Sequence, residues 1–149
     1  MRKRLLLIQF LVILLSCNNN KKREVPSQSI VNIEKLVLQA DIYYSNNNYT
    51  KSIELFDRII SLDSTRGKIY FQRGYCNAQL LDYERSNNDY KKSVELGYRV
   101  DDSYFCLGCN YASTHNDSLA LIFFSRAYSL NSKNISAKRE MDRIKQRSE

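Results

Sequence analysis

The feature that most constrains this chain is an internal repeat: shifted by 34 residues, the sequence superposes on itself in three consecutive copies without a gap. Five sets of aligned positions hold residues of similar size or chemistry. They are Leu36, Tyr70 and Tyr104; Ala40, Gly74 and Gly108; Ser52, Ser86 and Ala120; Phe56, Tyr90 and Phe124; and Leu62, Leu96 and Leu130. A period of this length indicates a solenoid, in which each unit buries its apolar face against its neighbours.

These positions resemble the tetratricopeptide repeat, whose 34-residue unit is a helix-turn-helix. With Ile33, Gly67 and Asp101 as first positions, bulky, small and aromatic residues recur where that pattern has them, and the third copy matches best. The resemblance implies an all-α fold, an α-solenoid of three repeats. We expect the repeats at residues 30–66, 67–100 and 101–134.

Small residues and cap residues support this reading independently. The set Ala40, Gly74 and Gly108 allows the first helix of each repeat to lie close to the second. Asn48, Asp82 and Asn116 recur with the same period where each second helix should begin, and Asn and Asp are preferred N-caps. Two departures from the family pattern are the missing Pro between repeats and Asn77, which stands where the family has Tyr.

The last segment, residues 135–149, has the pattern of a capping helix. Ala137, Met141 and Ile144 fall on one helical face and charged residues occupy the rest. Such a helix covers the exposed apolar end of a solenoid and presents a polar back to water.

The beginning of the chain has the pattern of a targeting signal. Residues 1–16 combine a basic start with an apolar run from Leu5 to Leu15, which is shorter than the ~20 residues that cross a bilayer. Leu14-Leu15-Ser16-Cys17 resembles the lipobox of bacterial lipoproteins. The resemblance implies cleavage after Ser16, a diacylglycerol on the Cys17 sulfur and an acyl chain on its new amino group.

Residues 17–29 would then form the lipidated Cys and a polar tether. Because no Asp follows Cys17, we expect attachment to the outer membrane, facing the periplasm. Removal of three basic residues with the signal peptide would leave +4 of the formal charge of +7. The remaining basic clusters, in the tether and the last dozen residues, are interpreted as solvated segments and not as a nucleic-acid site.

The resemblance also implies a binding groove, because the first helices of successive repeats line a concave surface in this family. Carried over position by position, the candidate groove residues are Val37, Asp41, Tyr44, Phe71, Tyr75, Phe105 and Cys109, with Ala78 and Ala112 beside them. Exposed aromatic positions indicate a contact surface. The groove lacks the Lys and Asn set by which the chaperone-tail version holds a terminal carboxylate. We therefore expect apolar packing with a segment of another envelope protein, or alternatively a groove filled by the chain's own tether, which would make the protein a spacer.

The pair Cys106 and Cys109 forms a CxxC motif and provides the alternative function, a redox- or metal-binding lipoprotein. Its context argues against that function, because the motif falls inside a predicted helix and the only His is His115 in a turn. A disulfide from Cys76 to either of them stays open at this stage. No catalytic constellation or Gly-rich phosphate loop is present, so we expect no enzyme activity, no cofactor or metal beyond the lipid on Cys17, and no small-molecule substrate.

Overall fold

The computed structural model describes residues 27–147, with side chains from residue 32 onward. Residues 1–26, which include the predicted signal peptide, Cys17 and most of the tether, lie outside the described part. Seven helices follow one another: α1 (Ser27–Ser45), α2 (Tyr49–Leu62), α3 (Gly67–Gln79), α4 (Tyr83–Glu95), α5 (Val100–Ser113), α6 (Asp117–Leu130) and α7 (Ile135–Arg147).

The helices form three helix-turn-helix pairs followed by α7, as the 34-residue period predicts. From α2 to α7 each helix packs against the next one along the chain. The first helix begins at Ser27, three residues before the predicted start of the first repeat, so residues 27–29 are helical and not part of an extended tether. The all-α solenoid predicted from the repeat is confirmed.

The turn inside each repeat has one recurring geometry. Asn47, Leu81 and His115 have left-handed backbone conformations, with φ of 57°, 63° and 57°. The next residue, Asn48, Asp82 or Asn116, donates its N–H to a carbonyl five residues back at 2.8–2.9 Å, which is the closing bond of a Schellman motif. The side chain of that same residue accepts an N–H from the first turn of the second helix. The predicted N-caps are therefore confirmed, and each also terminates the preceding helix.

The core lies where the aligned aromatic and small residues meet. Phe56, Tyr90 and Phe124 are almost completely buried, as are Ala40 and Ala120. Because the first and second helices approach closely, a Cβ atom added at Gly108 would lie 2.5 Å from the Phe124 ring. The small residue at this position of the repeat is therefore a steric requirement.

The last helix, α7, covers the apolar end of the third repeat. Ala137 and Ile144 are buried and Met141 packs beside them against the cluster around Phe124 and Ala127. Charged side chains occupy the opposite face of α7. None of the helices between Ser27 and Arg147 combines the length and the apolar character that a membrane crossing needs.

Candidate protein-binding groove

The first helices of the three repeats, α1, α3 and α5, carry all seven candidate groove residues. Each of these residues is half-buried: Val37, Asp41, Tyr44, Phe71, Tyr75, Phe105 and Cys109. The repeat pattern predicts exposed side chains at these positions. The side chains are half-buried because most of them pack on neighbouring helices. Val37 and Tyr44 pack on the core of the first repeat, Phe105 and Cys109 on that of the third, and Phe71 and Tyr75 on neighbouring rings.

The two phenylalanines of the candidate groove join neighbouring helices. The Phe71 ring lies 5.4 Å from that of Tyr90 and 5.9 Å from that of Tyr98, both edge to face. The Phe105 ring lies 5.5 Å from that of Phe124. These separations are in the range that stabilises aromatic pairs. Phe71 and Phe105 therefore contribute to stability as well as to the surface of the groove.

Tyrosine rings connect the first repeat to the second across the groove. Tyr44 of α1 and Tyr75 of α3 have ring centroids 5.5 Å apart, and Tyr49 approaches Tyr75 at 6.1 Å. Burial raises the pKa of Tyr44 to about 12, so its hydroxyl remains protonated. The cluster offers a partner both aromatic faces and hydroxyl groups.

A polar cluster next to these rings was missing from the predicted site. The Asp41 carboxylate accepts a hydrogen bond from Gln72 Nε2 at 2.8 Å and pairs with the Lys68 ammonium at 3.0 Å. Lys68 stands at the second position of its repeat. That position faces the groove in the family, so carrying it over as well would have added Lys68 to the predicted site. The Asp41 charge is consequently paired with side chains of α3.

A second missed residue is Arg99, in the turn between the second and third repeats. Its guanidinium carbon lies 5.0 Å from the centre of the Phe71 ring, and its Nε pairs with Asp102 at 2.8 Å. Arg99 has a left-handed backbone (φ 43°), which directs the chain into α5. No repeat position predicts this contact, because it depends on the particular course of this turn.

The three cysteines near the groove are free thiols. Burial raises the pKa of Cys76 and of Cys109 to about 12 and also raises that of Cys106. A raised pKa keeps sulfur in the unreactive thiol form. Between residues 27 and 147 no group of three His, Cys, Asp or Glu side chains is placed to hold a metal ion, and His115 is an exposed turn residue.

Arg73 of α3 forms a separate ionic cluster that joins the first two repeats. It pairs with Asp89 of α4 at 2.6 Å and with Asp57 of α2 at 2.5 Å. Asn77 donates to the same Asp89 carboxylate at 3.1 Å. The departure of Asn77 from the expected Tyr therefore has a structural reason, because a buried carboxylate occupies the space around it and needs a donor.

Comparison with known proteins agrees with this architecture. The sequence model of the tetratricopeptide repeat matches residues 36–66, nearly all of the first repeat. No curated protein matches the chain significantly in sequence. The family model thus identifies the first repeat as tetratricopeptide-like, and the three helix pairs share the fold of tetratricopeptide-repeat solenoids.

Solved structures share the fold at low sequence identity. MamA is 20% identical with a TM-score of 0.75, over 78% of this chain and 68% of MamA. The first repeat domain of Spaghetti (RPAP3), bound to the HSP90 peptide SRMEEVD, is 18% identical with a TM-score of 0.70, over 76% and 90%. SycD from Yersinia enterocolitica, in complex with a peptide of the translocator YopD, is 15% identical with a TM-score of 0.72, over 79% and 95%.

Proposed function

We propose that this chain is a lipid-anchored adaptor of the bacterial cell envelope, which binds a segment of another protein in the groove of α1, α3 and α5. The observation that carries the proposal is the row of partly exposed rings along three successive first helices: Tyr44, Phe71, Tyr75 and Phe105. Aromatic side chains dominate binding energy at protein interfaces because they bury much area at low entropic cost. Two proteins of the same fold, RPAP3 and SycD, bind peptides.

The charges in the groove favour a partner held by apolar anchors. Lys68 is already paired with Asp41, so a carboxylate arriving from a partner would have to compete with that internal ion pair. The side chain of Asn77 is likewise committed to Asp89. The groove therefore suits an extended or helical segment that places apolar side chains against the tyrosine and phenylalanine rings.

Site-specific photo-crosslinking in native envelopes tests the groove. Replacing Phe71 or Phe105 would disturb the core, so the crosslinker is better placed at Lys68 and at Ala78, which line the groove without supporting a buried ring. Lys91, exposed on the second helix α4, is the matched control position. We expect one dominant crosslinked protein from Lys68 and Ala78 and none from Lys91. Crosslinks only within the chain would support the spacer alternative and contradict the adaptor.

The lipid anchor rests on the lipobox-like sequence Leu14-Leu15-Ser16-Cys17. Two or three acyl chains make attachment nearly permanent, since each buried methylene contributes about 0.8 kcal/mol. Labelling cells with a radioactive fatty acid should mark the chain, and Cys17→Ser should abolish both the label and sedimentation with outer membranes. A labelled Cys17→Ser variant would disprove the assignment of that residue.

The adaptor needs no catalysis and no cofactor. Its alternative, a redox or metal carrier built on Cys106 and Cys109, requires thiolates. Burial raises the pKa of both Cys106 and Cys109, which keeps their sulfur atoms in the thiol form. Binding to a protein segment is the function that the groove supports best.

A further inference from the structure

On the side away from the second repeat, α1 and α2 present several exposed apolar side chains that no residue from 32 to 147 covers, and we call this surface the end face. It surrounds a depression of about 390 Å³ between α1 and α2, lined by Gln39, Ile42, Tyr43, Lys51, Glu54 and Leu55. Ile42 is 52% exposed and the adjacent Leu38 is 64% exposed. Large apolar side chains grouped on one face usually mark a contact surface.

The internal repeat identifies what kind of surface this is. Five residues of the end face align, 34 residues further along the chain, with residues of the second repeat. The aligned residues surround the cleft between the second repeat and α2. These are Arg73, Asn77, Arg85, Asn88 and Asp89, which stand opposite Ile53 and Asp57. The end face is thus the surface by which a repeat receives the helices before it. In the second repeat this surface is polar and joined to α2 by an ion pair, whereas in the first repeat it includes the apolar side chains of Ile42 and Leu55.

The charges on the end face indicate which partner would match it. Lys51 lies over the Tyr43 ring at 5.3 Å, and neither Lys51 nor Glu54 forms an ion pair with any side chain between residues 32 and 147. A matching surface must present an anion to Lys51 and a cation to Glu54, around apolar residues. The end face of a second copy, rotated by a two-fold axis, presents both.

The opposite end of the solenoid is a poor match for this surface. The outer face of α7 carries three cations and one anion around the exposed Ile135, and its residues are Ile135, Lys138, Arg139, Asp142, Arg143 and Gln146. Docking it on Ile42 and Leu55 would bury charges against apolar side chains, which is costly. A head-to-tail chain of copies is therefore disfavoured, and a closed symmetric pair is favoured.

We propose that two copies of this chain associate through their end faces, with α1 and α2 of one packing on α1 and α2 of the other and Lys51 of each facing Glu54 of its partner. The proposal concerns a surface separate from the groove and does not depend on the proposed adaptor function. Because only a few side chains form this face, we expect a weak pair whose formation depends on concentration.

Charge reversal tests the pairing directly, with the full chain in non-ionic detergent and sedimentation equilibrium as the measurement. Lys51→Glu and Glu54→Lys should each weaken the dimer about tenfold or more, because each places two like-charge contacts across the two-fold axis. The double variant Lys51→Glu with Glu54→Lys should restore the dimer, since the exchanged charges again face each other. Restoration of the dimer would identify the end face as the partner surface, because exchanging both charges preserves the pairing only when Lys51 and Glu54 face each other.

An apolar substitution provides an independent test with a matched control. Ile42→Asp should abolish the dimer, whereas Ile122→Asp, at a residue of similar exposure in the third repeat, should leave it unchanged. Circular dichroism of both variants verifies that they remain folded. A chain that is monomeric up to about 100 μM would overturn the proposal. A dimer of unchanged affinity in both Lys51→Glu and Ile42→Asp would overturn it as well, because a contact at this face must be weakened by these substitutions.

Discussion

Gly108 on α5 and Phe124 on α6 are in such close contact that a methyl group on Gly108 would stand 2.5 Å from Cδ1 and 2.6 Å from Cε1 of the Phe124 ring. The ring has no room to move, because Phe124 is completely buried and also packs against Phe105. This contact holds the two helices of the third repeat at their observed separation.

Gly108→Ala should therefore destabilise the protein by about 2 kcal/mol, since overpacking a well-packed core exceeds the gain in helix propensity. Urea unfolding followed by circular dichroism measures the change. Gly74→Ala is the matched control at the same repeat position. Its nearest neighbour is Asp89 Cβ at 3.1 Å, so the change should be smaller by about 1 kcal/mol or more. Equal effects of the two substitutions would contradict the steric explanation.

Leu81 occupies the left-handed turn position that Asn47 and His115 fill in the other repeats. Because Leu tolerates positive φ poorly and its side chain is 70% exposed, Leu81→Asn should stabilise the protein by about 1 kcal/mol. The control is Leu80→Asn, at an exposed residue with φ of −88°, which should bring no gain. Thermal unfolding compares the two, and a Leu81→Asn protein that melts below the wild type would disprove the argument.

The ionic cluster of Arg73 predicts unequal effects of its two carboxylates. Burial raises the pKa of Asp89, and the Arg73 guanidinium offsets that rise only in part. Arg73→Met would leave Asp89 buried without its cation, which should cost about 3–5 kcal/mol. Asp57 is the more exposed carboxylate, so Asp57→Asn should cost less than about 1 kcal/mol. Urea unfolding gives both values.

If Arg73→Met is harmful because it strands a buried charge, a second substitution at Asp89 should recover part of the loss. Arg73→Met with Asp89→Leu should be more stable than Arg73→Met alone. If the double variant loses as much free energy of unfolding as Arg73→Met and Asp89→Leu lose together, packing and not charge dominates this cluster.

The buried thiols should react slowly in the native protein. With the pKa of Cys76 and Cys109 near 12, only a fraction on the order of 10⁻⁴ is thiolate at pH 8. Alkylation with iodoacetamide, followed residue by residue with mass spectrometry, should proceed at least about 100-fold faster after unfolding in urea. Rapid native alkylation of Cys109 would revive the redox alternative.

Most of the fold was predictable because it is periodic. The 34-residue spacing of Ala40, Gly74 and Gly108, together with the three Asx caps, determined the number of repeats, the first residues of α2, α4 and α6 and the buried aromatic residues. These features depend on contacts between residues close in sequence, so local pattern and turn chemistry are sufficient to identify them.

The site was only partly predictable. The residues predicted for the groove lie on the first helices α1, α3 and α5, and their role in binding stays a prediction. The pattern did not show that each ring is half-buried or that Lys68 and Gln72 pair with Asp41. Arg99 was missed because its position over Phe71 depends on a left-handed residue in an irregular turn. Such contacts join residues from different helices, and no periodicity encodes them.

The sequence by itself determined the repeat length, the start of each second helix and the small residues where helices must approach, because each follows from local steric and hydrogen-bonding rules. Only the tertiary structure decided how much of each groove ring is accessible, which charges are already paired, and that the end face around Ile42 is apolar and uncovered in the described chain. Those properties arise from the packing of one repeat on the next, where burial and distance set the energy of each contact.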